Sequence, residues 1–369
     1  MSSGTRDPDA ALEALRQRID EIDRELQRLL NARAAAAQEV ARVKLAAEPE
    51  AEPFFYRPER EAQVLRRVKE RNAGPMGDEE IARLFREIMS CCLALEQPLT
   101  VAFLGPEGTF TEAAATKHFG HFALARPMGS IGEVFREVES GAAHYGVVPV
   151  ENSTEGVVNH TLDSFMTSPL KIAGEVELRI HHHLLVRPAT ERAAVRRILS
   201  HQQSLAQCRA WLDQHWPGVE RIPTASNAEA AALVARSGDA AAIAGDMAAE
   251  RYGLVPLSTN IEDHPDNTTR FLVVGRQAVA PSGRDKTTLL VSTRNEPGAL
   301  YRLLEPFHRH GLMMTRLETR PSRVGNWSYV FFIDFEGHQE DPEVTAVLAE
   351  LREIAIEVKS LGSYPRAVL

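Results

Sequence analysis

The stretch Asp266-Asn-Thr-Thr-Arg-Phe-Leu-Val-Val-Gly275 sets two hydroxyls and a guanidinium, Thr268, Thr269 and Arg270, at the entrance to an apolar run that begins at Phe271. A hydroxyl can donate a proton or hydrogen bond to a leaving oxygen, and arginine can hold a carboxylate bidentately. That pairing suits a small anionic substrate that must lose an oxygen. The same residues also suit a plain strand, because threonine is a good β-former. Other loop positions repeat the hydroxyl and amide chemistry without a base: Asn152, Ser153, Ser200, Gln207 and Ser226. Ser200-His201-Gln202 has no matching Ser-His-Asp arrangement, so nucleophilic catalysis is not expected. Gly105-Pro-Glu-Gly108 lacks the Lys-Ser/Thr and the glycine spacing of a Walker or dinucleotide loop, so no nucleotide cofactor is expected. His181-His182-His183 looks like a metal motif. Alternate strand residues face opposite ways, however, and no acid or cysteine cluster accompanies the three, so no metal is expected.

A second constellation lies near the N-terminus. Leu12, Leu15, Ile19, Ile22, Leu26 and Leu29 recur at alternating three and four residues, and Asp7-Pro8 supplies a cap and a first-turn proline. The pattern predicts a helix over about residues 8–46, roughly 55–60 Å long. Such a helix needs a partner along its length, so an all-helical homodimer is expected. Arg33 and Lys44 point along the centre of the apolar stripe, whereas Arg24, Arg28 and Arg42 point away from it. A second helix from Pro58 carries Arg60 and Glu61, and a third from Asp78 carries Cys92 with Glu96 one turn beyond it. Each charge alone reads as a snorkelling side chain. Five of them intruding on three apolar faces instead read as a buried polar pocket for a dianion. Arg16, at the edge of the stripe, lies too far from Arg33 to share its pocket on one helix, but in an antiparallel dimer it reaches the partner's pocket.

At these residues the segment resembles the all-helical chorismate mutase domain that opens bifunctional chorismate mutase/prephenate dehydratases. The matching signatures are Leu15-Arg16, Asn31-Ala-Arg33, Val43-Lys44 and Arg57-Pro-Glu-Arg-Glu61. The resemblance implies a pericyclic rearrangement, which needs a compact conformer and charge stabilisation at the breaking ether oxygen. By position, Arg16 from the partner chain, Arg33 and Arg60 would hold the carboxylates, Lys44 would meet the ether oxygen, and Glu61 would take the ring hydroxyl. Arg57 and Cys92 would line the same pocket. The chain departs from the family in two places. Its link from Lys44 to Arg60 is longer, with Arg57 where an acid is usual, and Glu96 stands where glutamine is frequent. An ionised Glu96 only accepts hydrogen bonds, so mutase activity is expected to fall as pH rises through its pKa.

After Gln97-Pro98 the periodicity changes to short strands alternating with helices. Thr100–Leu104, Tyr145–Val150, His182–Val186, Ala240–Ala244 and Phe271–Val274 read as strands, with an alanine-rich helix at Asn227–Arg236. This is α/β, and two strand clusters suggest two lobes around a cleft. Gly105-Pro-Glu-Gly-Thr-Phe110, Val148-Pro-Val-Glu-Asn-Ser153 and Thr269-Arg-Phe271 stand in the order of the prephenate dehydratase domain, which this segment resembles throughout. That family has a periplasmic-binding-protein-like fold and couples loss of CO₂ to loss of a ring hydroxyl, giving phenylpyruvate. The resemblance implies Thr269 as the donor to that hydroxyl and Arg270 as the group orienting a carboxylate. Glu151, Asn152, Ser153, Ser200, Gln207 and Phe271 would line the pocket.

The last segment reads as βαββαβ, a small α+β ferredoxin-like domain. It resembles an ACT regulatory domain: Gly298-Ala-Leu300 and Glu318-Thr-Arg-Pro321 match the motifs with which this family binds phenylalanine, with Thr319 where serine is usual. The resemblance implies Gly298, Ala299, Leu300, Glu318 and Arg320 at an allosteric phenylalanine site between paired ACT domains. The expected domains are residues 1–97 (helical mutase), 98–278 (dehydratase) and 284–369 (ACT).

The 369 residues, 44% hydrophobic and 25% charged, describe an ordinary globular chain of two or three domains. A net charge of −9 argues against a nucleic-acid surface. No long apolar run or signal peptide implies a membrane or export, and three cysteines fit a reducing cytoplasm. The expectation is a cofactor-free bifunctional enzyme acting on chorismate and prephenate, as a dimer through the helical domain or a tetramer. The alternatives are a catalytically silent amino-acid sensor and a dehydratase that prefers arogenate.

Overall fold

The computed structural model describes residues 8–47, 55–321 and 329–369. Three helices come first: α1 (Pro8–Ala47), α2 (Pro58–Glu70) and α3 (Asp78–Glu96). Pro8 and Pro58 sit in the first turns of α1 and α2, where a missing N–H costs nothing. Asp7, the expected cap, lies outside the described residues. The α1 stripe faces outward, with Leu15 and Ile19 each 56% exposed, while Ala62, Leu65 and Val68 of α2 are buried.

The middle of the chain forms two sheets. Elements β1 (Thr100–Leu104), α4 (Phe110–Phe119), β2 (Leu124–Met128), α5 (Ile131–Glu139), β3 (Tyr145–Asn152), β4 (Gly156–Val157), α6 (Asn159–Thr167) and β5 (Lys171–Arg179) build the first lobe. The second lobe holds β6 (His183–Val186), β7 (Arg197–His201), α7 (Gln202–Gln207), α8 (Arg209–His215), β8 (Glu220–Thr224), α9 (Asn227–Val234), β9 (Ala240–Ala244), α10 (Asp246–Tyr252) and β10 (Val255–Ser258). The chain then returns through β11 (Thr268–Gly275), which inserts antiparallel between β3 and β5. The sheet orders are β2-β1-β3-β11-β5, with β4 beside β3, and β10-β6-β9-β7-β8. The return of β11 carries Thr269 from far along the sequence to lie opposite Asn152.

The C-terminal unit is β12 (Asp285–Ser292), α11 (Ala299–Arg309), β13 (Met314–Pro321), β14 (Tyr329–Glu336), α12 (Pro342–Ile354) and β15 (Glu357–Pro365), in sheet order β13-β14-β12-β15. The sequence pattern predicts a strand over Trp327–Phe335, and Trp327 lies outside the described residues. Alternation divides this sheet. Leu289, Val291, Phe331, Ile333 and Phe335 pack with Leu303, Phe307, Val347 and Leu351 of its own helices. Leu290, Val330, Phe332, Leu361 and Tyr364 join the core of the first lobe instead. The C-terminal unit is therefore fused to the lobe that bears Thr269. No helix among the described residues is long and apolar enough to cross a membrane.

Candidate active sites

The cleft between the lobes holds a cavity of about 340 Å³, lined among others by Asn152, Gln207, Asn267, Thr269 and Phe271. This is within the size range of a small-molecule site. The Asn152 carbonyl oxygen accepts the backbone N–H of Thr154 and of Glu155, each at 3.0 Å. Its orientation is therefore fixed, and its amide nitrogen donates to Thr269 Oγ1 at 2.8 Å and to Asn267 Oδ1 at 2.8 Å. With its oxygen accepting from Asn152, Thr269 keeps its own proton for whatever enters the cavity. Asn267 in turn donates to Gln207 Oε1 at 3.2 Å, and Gln207 Nε2 donates to Thr154 Oγ1 at 3.1 Å.

Arg270 does not join this group. Successive strand residues face opposite sides, so Thr269 and Phe271 face the cavity while Arg270 faces the C-terminal sheet. Its guanidinium donates to Glu175 (2.9 Å), Asp334 (2.6 Å) and the Tyr364 hydroxyl (2.9 Å). Three other expected cleft residues are also placed elsewhere. Glu151 pairs with Arg316 of β13 at 3.2 Å. Ser153 accepts from the Thr268 N–H at 3.0 Å and tightens the loop. Ser200 is fully buried, 2.6 Å from the Ile243 carbonyl and 2.9 Å from Asn227 Oδ1, one layer behind the wall that Asn227 forms.

Among the described residues, no lysine or arginine lines the cavity. Helix ends supply anion-favouring groups there instead. Thr109–Thr111 at the start of α4, Val158 before α6, and Ser226 and Asn227 at the start of α9 all border it. First-turn N–H groups and the helix dipole favour an anion at such ends. Sequence reasoning noticed Ser226 but missed Asn267 and Asn227. Asn267 lies inside the Asp266-Asn-Thr-Thr stretch, and its amide was the available signal.

In the helical unit, Arg33 and Lys44 are half-buried on α1, and Lys44 Nζ sits 5.5 Å from the Phe55 ring centroid. Glu96 on α3 faces both: burial raises its pKa, and the charges of Lys44 and Arg33 oppose that rise. Cys92 is buried on the same helix. Arg16, Arg57 and Arg60 are exposed, with Glu13 3.8 Å from Arg16 and Glu59 3.6 Å from Arg57. Glu61 departs from expectation. It lies 3.2 Å from Arg86 and 3.3 Å from the Tyr56 hydroxyl, against the first lobe, because α2 turns that face inward with Ala62 and Leu65. Burial raises its pKa against the pull of Arg86 and the hydrogen bond from Tyr56.

At the C-terminal unit, Gly298 adopts a left-handed φ of 78° at the start of α11, a conformation that favours glycine. Ala299 is buried and Leu300 exposed. Glu318 is half-buried on the edge strand β13. Arg320 is engaged across the domain boundary by Asp163 at 2.8 Å and Asn159 at 2.8 Å.

Three family models match in succession: Chorismate mutase type II over residues 15–97, Prephenate dehydratase over 101–279 and ACT domain over 287–353. A bifunctional chorismate mutase/prephenate dehydratase of Stutzerimonas stutzeri is 61% identical over 97% of this chain and 98% of its own length. The chain belongs to the bifunctional chorismate mutase/prephenate dehydratase family. A family member from Pseudomonas aeruginosa is 60% identical over the same shares of the two chains. Among solved structures, a prephenate dehydratase from Arthrobacter aurescens in complex with L-Phe is similar at a TM-score of 0.68 and 38% identity, covering 73% of this chain and 90% of that one. As a bifunctional chorismate mutase/prephenate dehydratase, the chain carries an isomerase and a lyase activity on one polypeptide with an ACT domain.

Proposed function

We propose that the helical unit rearranges chorismate to prephenate, that the cleft converts prephenate to phenylpyruvate, and that phenylalanine regulates the second step through the ACT domain. The observation that carries the cleft reading is the direction of the Asn152–Thr269 hydrogen bond, which leaves the threonine proton available. As the bond to the ring carboxylate breaks, that group leaves as CO₂, and the bond's electrons flow into the ring and expel the ring hydroxyl. That hydroxyl takes the Thr269 proton and departs as water, and solvent restores the threonine. Aromatisation drives the step, so no base is required. The ends of α4, α6 and α9, rather than Arg270, receive the substrate's carboxylates.

In the mutase half, Lys44 and a protonated Glu96 act at the ether oxygen, while Arg33, Arg60 and Arg16 from a second copy hold the carboxylates. Cys92 and Arg57 border that pocket. The exposed apolar stripe of α1 supports an antiparallel homodimer through the helical unit. The Arthrobacter complex with L-Phe supports phenylalanine as the effector, and Gly298–Leu300, Glu318 and Arg320 are assigned to it by motif alone. Three unpaired cysteines accord with a cytoplasmic location. One assay tests the whole reading: purified protein is given chorismate, and prephenate and phenylpyruvate are followed separately, with and without phenylalanine. Unconsumed chorismate refutes the mutase part, prephenate that accumulates without phenylpyruvate refutes the dehydratase part, and indifference to millimolar phenylalanine refutes the regulatory part.

A further inference from the structure

His182, the middle residue of the His181-His182-His183 run, lines the cleft cavity and is only 1% exposed. Its backbone N–H is anchored to Glu262 Oε2 at 2.9 Å, and the Phe110 ring meets the imidazole edge-on at 5.7 Å between centroids. One ring nitrogen, Nε2, lies 2.9 Å from Gln207 Oε1, while the buried Nδ1 has no hydrogen-bond partner.

The directions of the neighbouring bonds decide which nitrogen carries the proton. The backbone N–H groups of Thr154 and Glu155 fix the Asn152 carbonyl, so Asn152 donates to Thr269 and to Asn267 Oδ1. Asn267, accepting on oxygen, must donate through nitrogen to Gln207 Oε1. The atom of Gln207 that faces His182 is therefore an acceptor, and His182 must donate to it from Nε2. Burial holds the imidazole pKa below its usual range, against the hydrogen bond to Gln207, which keeps the ring neutral with a bare Nδ1. His182 donates inward at one end, and at the other Thr269 accepts from Asn152 and keeps its own proton. The hydrogen-bond chain crosses from the second lobe, at His182 and Gln207, to the first, at Asn267, Asn152 and Thr269.

We propose that His182, as the neutral Nε2–H tautomer, is a positioning residue for the dehydratase reaction, holding Gln207 across the cleft so that Asn267 and Asn152 keep the Thr269 hydroxyl aimed at the substrate. The proposal rests on the dehydratase reading, and wild-type turnover of prephenate tests that reading separately. If wild-type protein converts prephenate, the failure of a His182 variant bears on this inference alone.

A glutamine at position 182 places its amide N–H near the imidazole Nε2, whereas an asparagine ends one bond short. His182→Gln is expected to keep kcat within about fivefold of wild type, and His182→Asn to lower it on the order of tenfold to hundredfold, with KM moved less than about threefold in both. Mutase activity, housed in the helical unit, serves as the folding control and is expected to be unchanged. Two-bond ¹⁵N–¹H spectra of ¹⁵N-histidine-labelled protein, with the His182 signals assigned from their loss in His182→Asn, are expected to show a protonated Nε2 and an unprotonated Nδ1. Equal kcat in the two variants, a change confined to KM, or an Nδ1–H tautomer overturns the proposal. If both variants lose mutase activity as well, the wild-type Nδ1 and Nε2 signals, assigned instead through the nuclear Overhauser contacts of the His182 ring with the Phe110 ring, decide it.

Discussion

Arg270 on β11 donates to Asp334 on β14 at 2.6 Å, so the residue next to the cleft threonine is gripped by the C-terminal domain. Its neighbour Thr269 faces the substrate cavity. On the paired strand the same division recurs: Asn152 faces the cavity, and Glu151 meets Arg316 of β13 at 3.2 Å. Both strands that supply the Asn152–Thr269 hydrogen bond are thus held from behind by the ACT domain.

Thr269→Ala removes the proton donor and is expected to lower dehydratase kcat by about a hundredfold or more, with mutase activity intact. Thr269→Ser keeps the hydroxyl and the bond from Asn152, so it should stay within roughly tenfold of wild type. Near-normal prephenate turnover by the alanine variant would remove Thr269 from the mechanism.

The β-strand period explains what the sequence revealed and what it hid. Thr269 and Phe271 share a face, and that was legible from alternation; so was the exclusion of Arg270 from that face, had alternation been weighed against the appeal of a carboxylate-binding arginine. The N-terminal helices were legible because Leu12 to Leu29 keep one period over many turns. The strands Leu124–Met128, Lys171–Arg179, Arg197–His201, Glu220–Thr224 and Val255–Ser258 went unread. Two of these, Leu-Ala-Arg-Pro-Met and Glu-Arg-Ile-Pro-Thr, mix charge and proline and are completed as strands by their neighbours. Glu61 was misplaced because a helical stripe gives a face but not its neighbour. Only the assembled domains show that this face of α2 meets Arg86 and Tyr56.

Arg316 offers a test of regulation. Its guanidinium is nearly buried, and its pairing with Glu151 links β13 to the strand that carries Asn152. Arg316→Ala should blunt phenylalanine inhibition of the dehydratase on the order of fivefold in the concentration needed, a coupling change in the usual range for allosteric proteins. Phenylalanine binding measured by calorimetry should change less than about threefold. An inhibition curve superimposable on wild type would exclude this ion pair from the coupling.

Gly362 tests the fusion of the ACT sheet to the first lobe. Its φ is 134°, and a Cβ built there would lie 2.6 Å from the Ile172 carbonyl oxygen and 3.0 Å from its nitrogen. Those are backbone atoms of β5, which cannot swing aside. Gly362→Ala combines a disfavoured backbone conformation with overpacking and is expected to destabilise the protein by about 3 kcal/mol. Hydrogen exchange should quicken first along β15 and β5. Unchanged protection of both strands would show that the close approach is not required.

In the proposed mutase site, Glu96 titrates where the chemistry needs a donor. Burial raises its pKa, while Lys44 and Arg33 pull the other way, so the protonated acid persists to higher pH than an exposed glutamate would. The acid donates to an ether oxygen, and the carboxylate can only repel it. Mutase activity is therefore expected to be fullest below that raised pKa and to fall as pH rises through it. Glu96→Gln donates at every pH, so its profile should stay flat on the alkaline side where the wild type declines. The comparison is kcat/KM for chorismate across pH in both proteins. A Gln variant that declines as steeply as wild type would place the titrating group elsewhere in the helical unit.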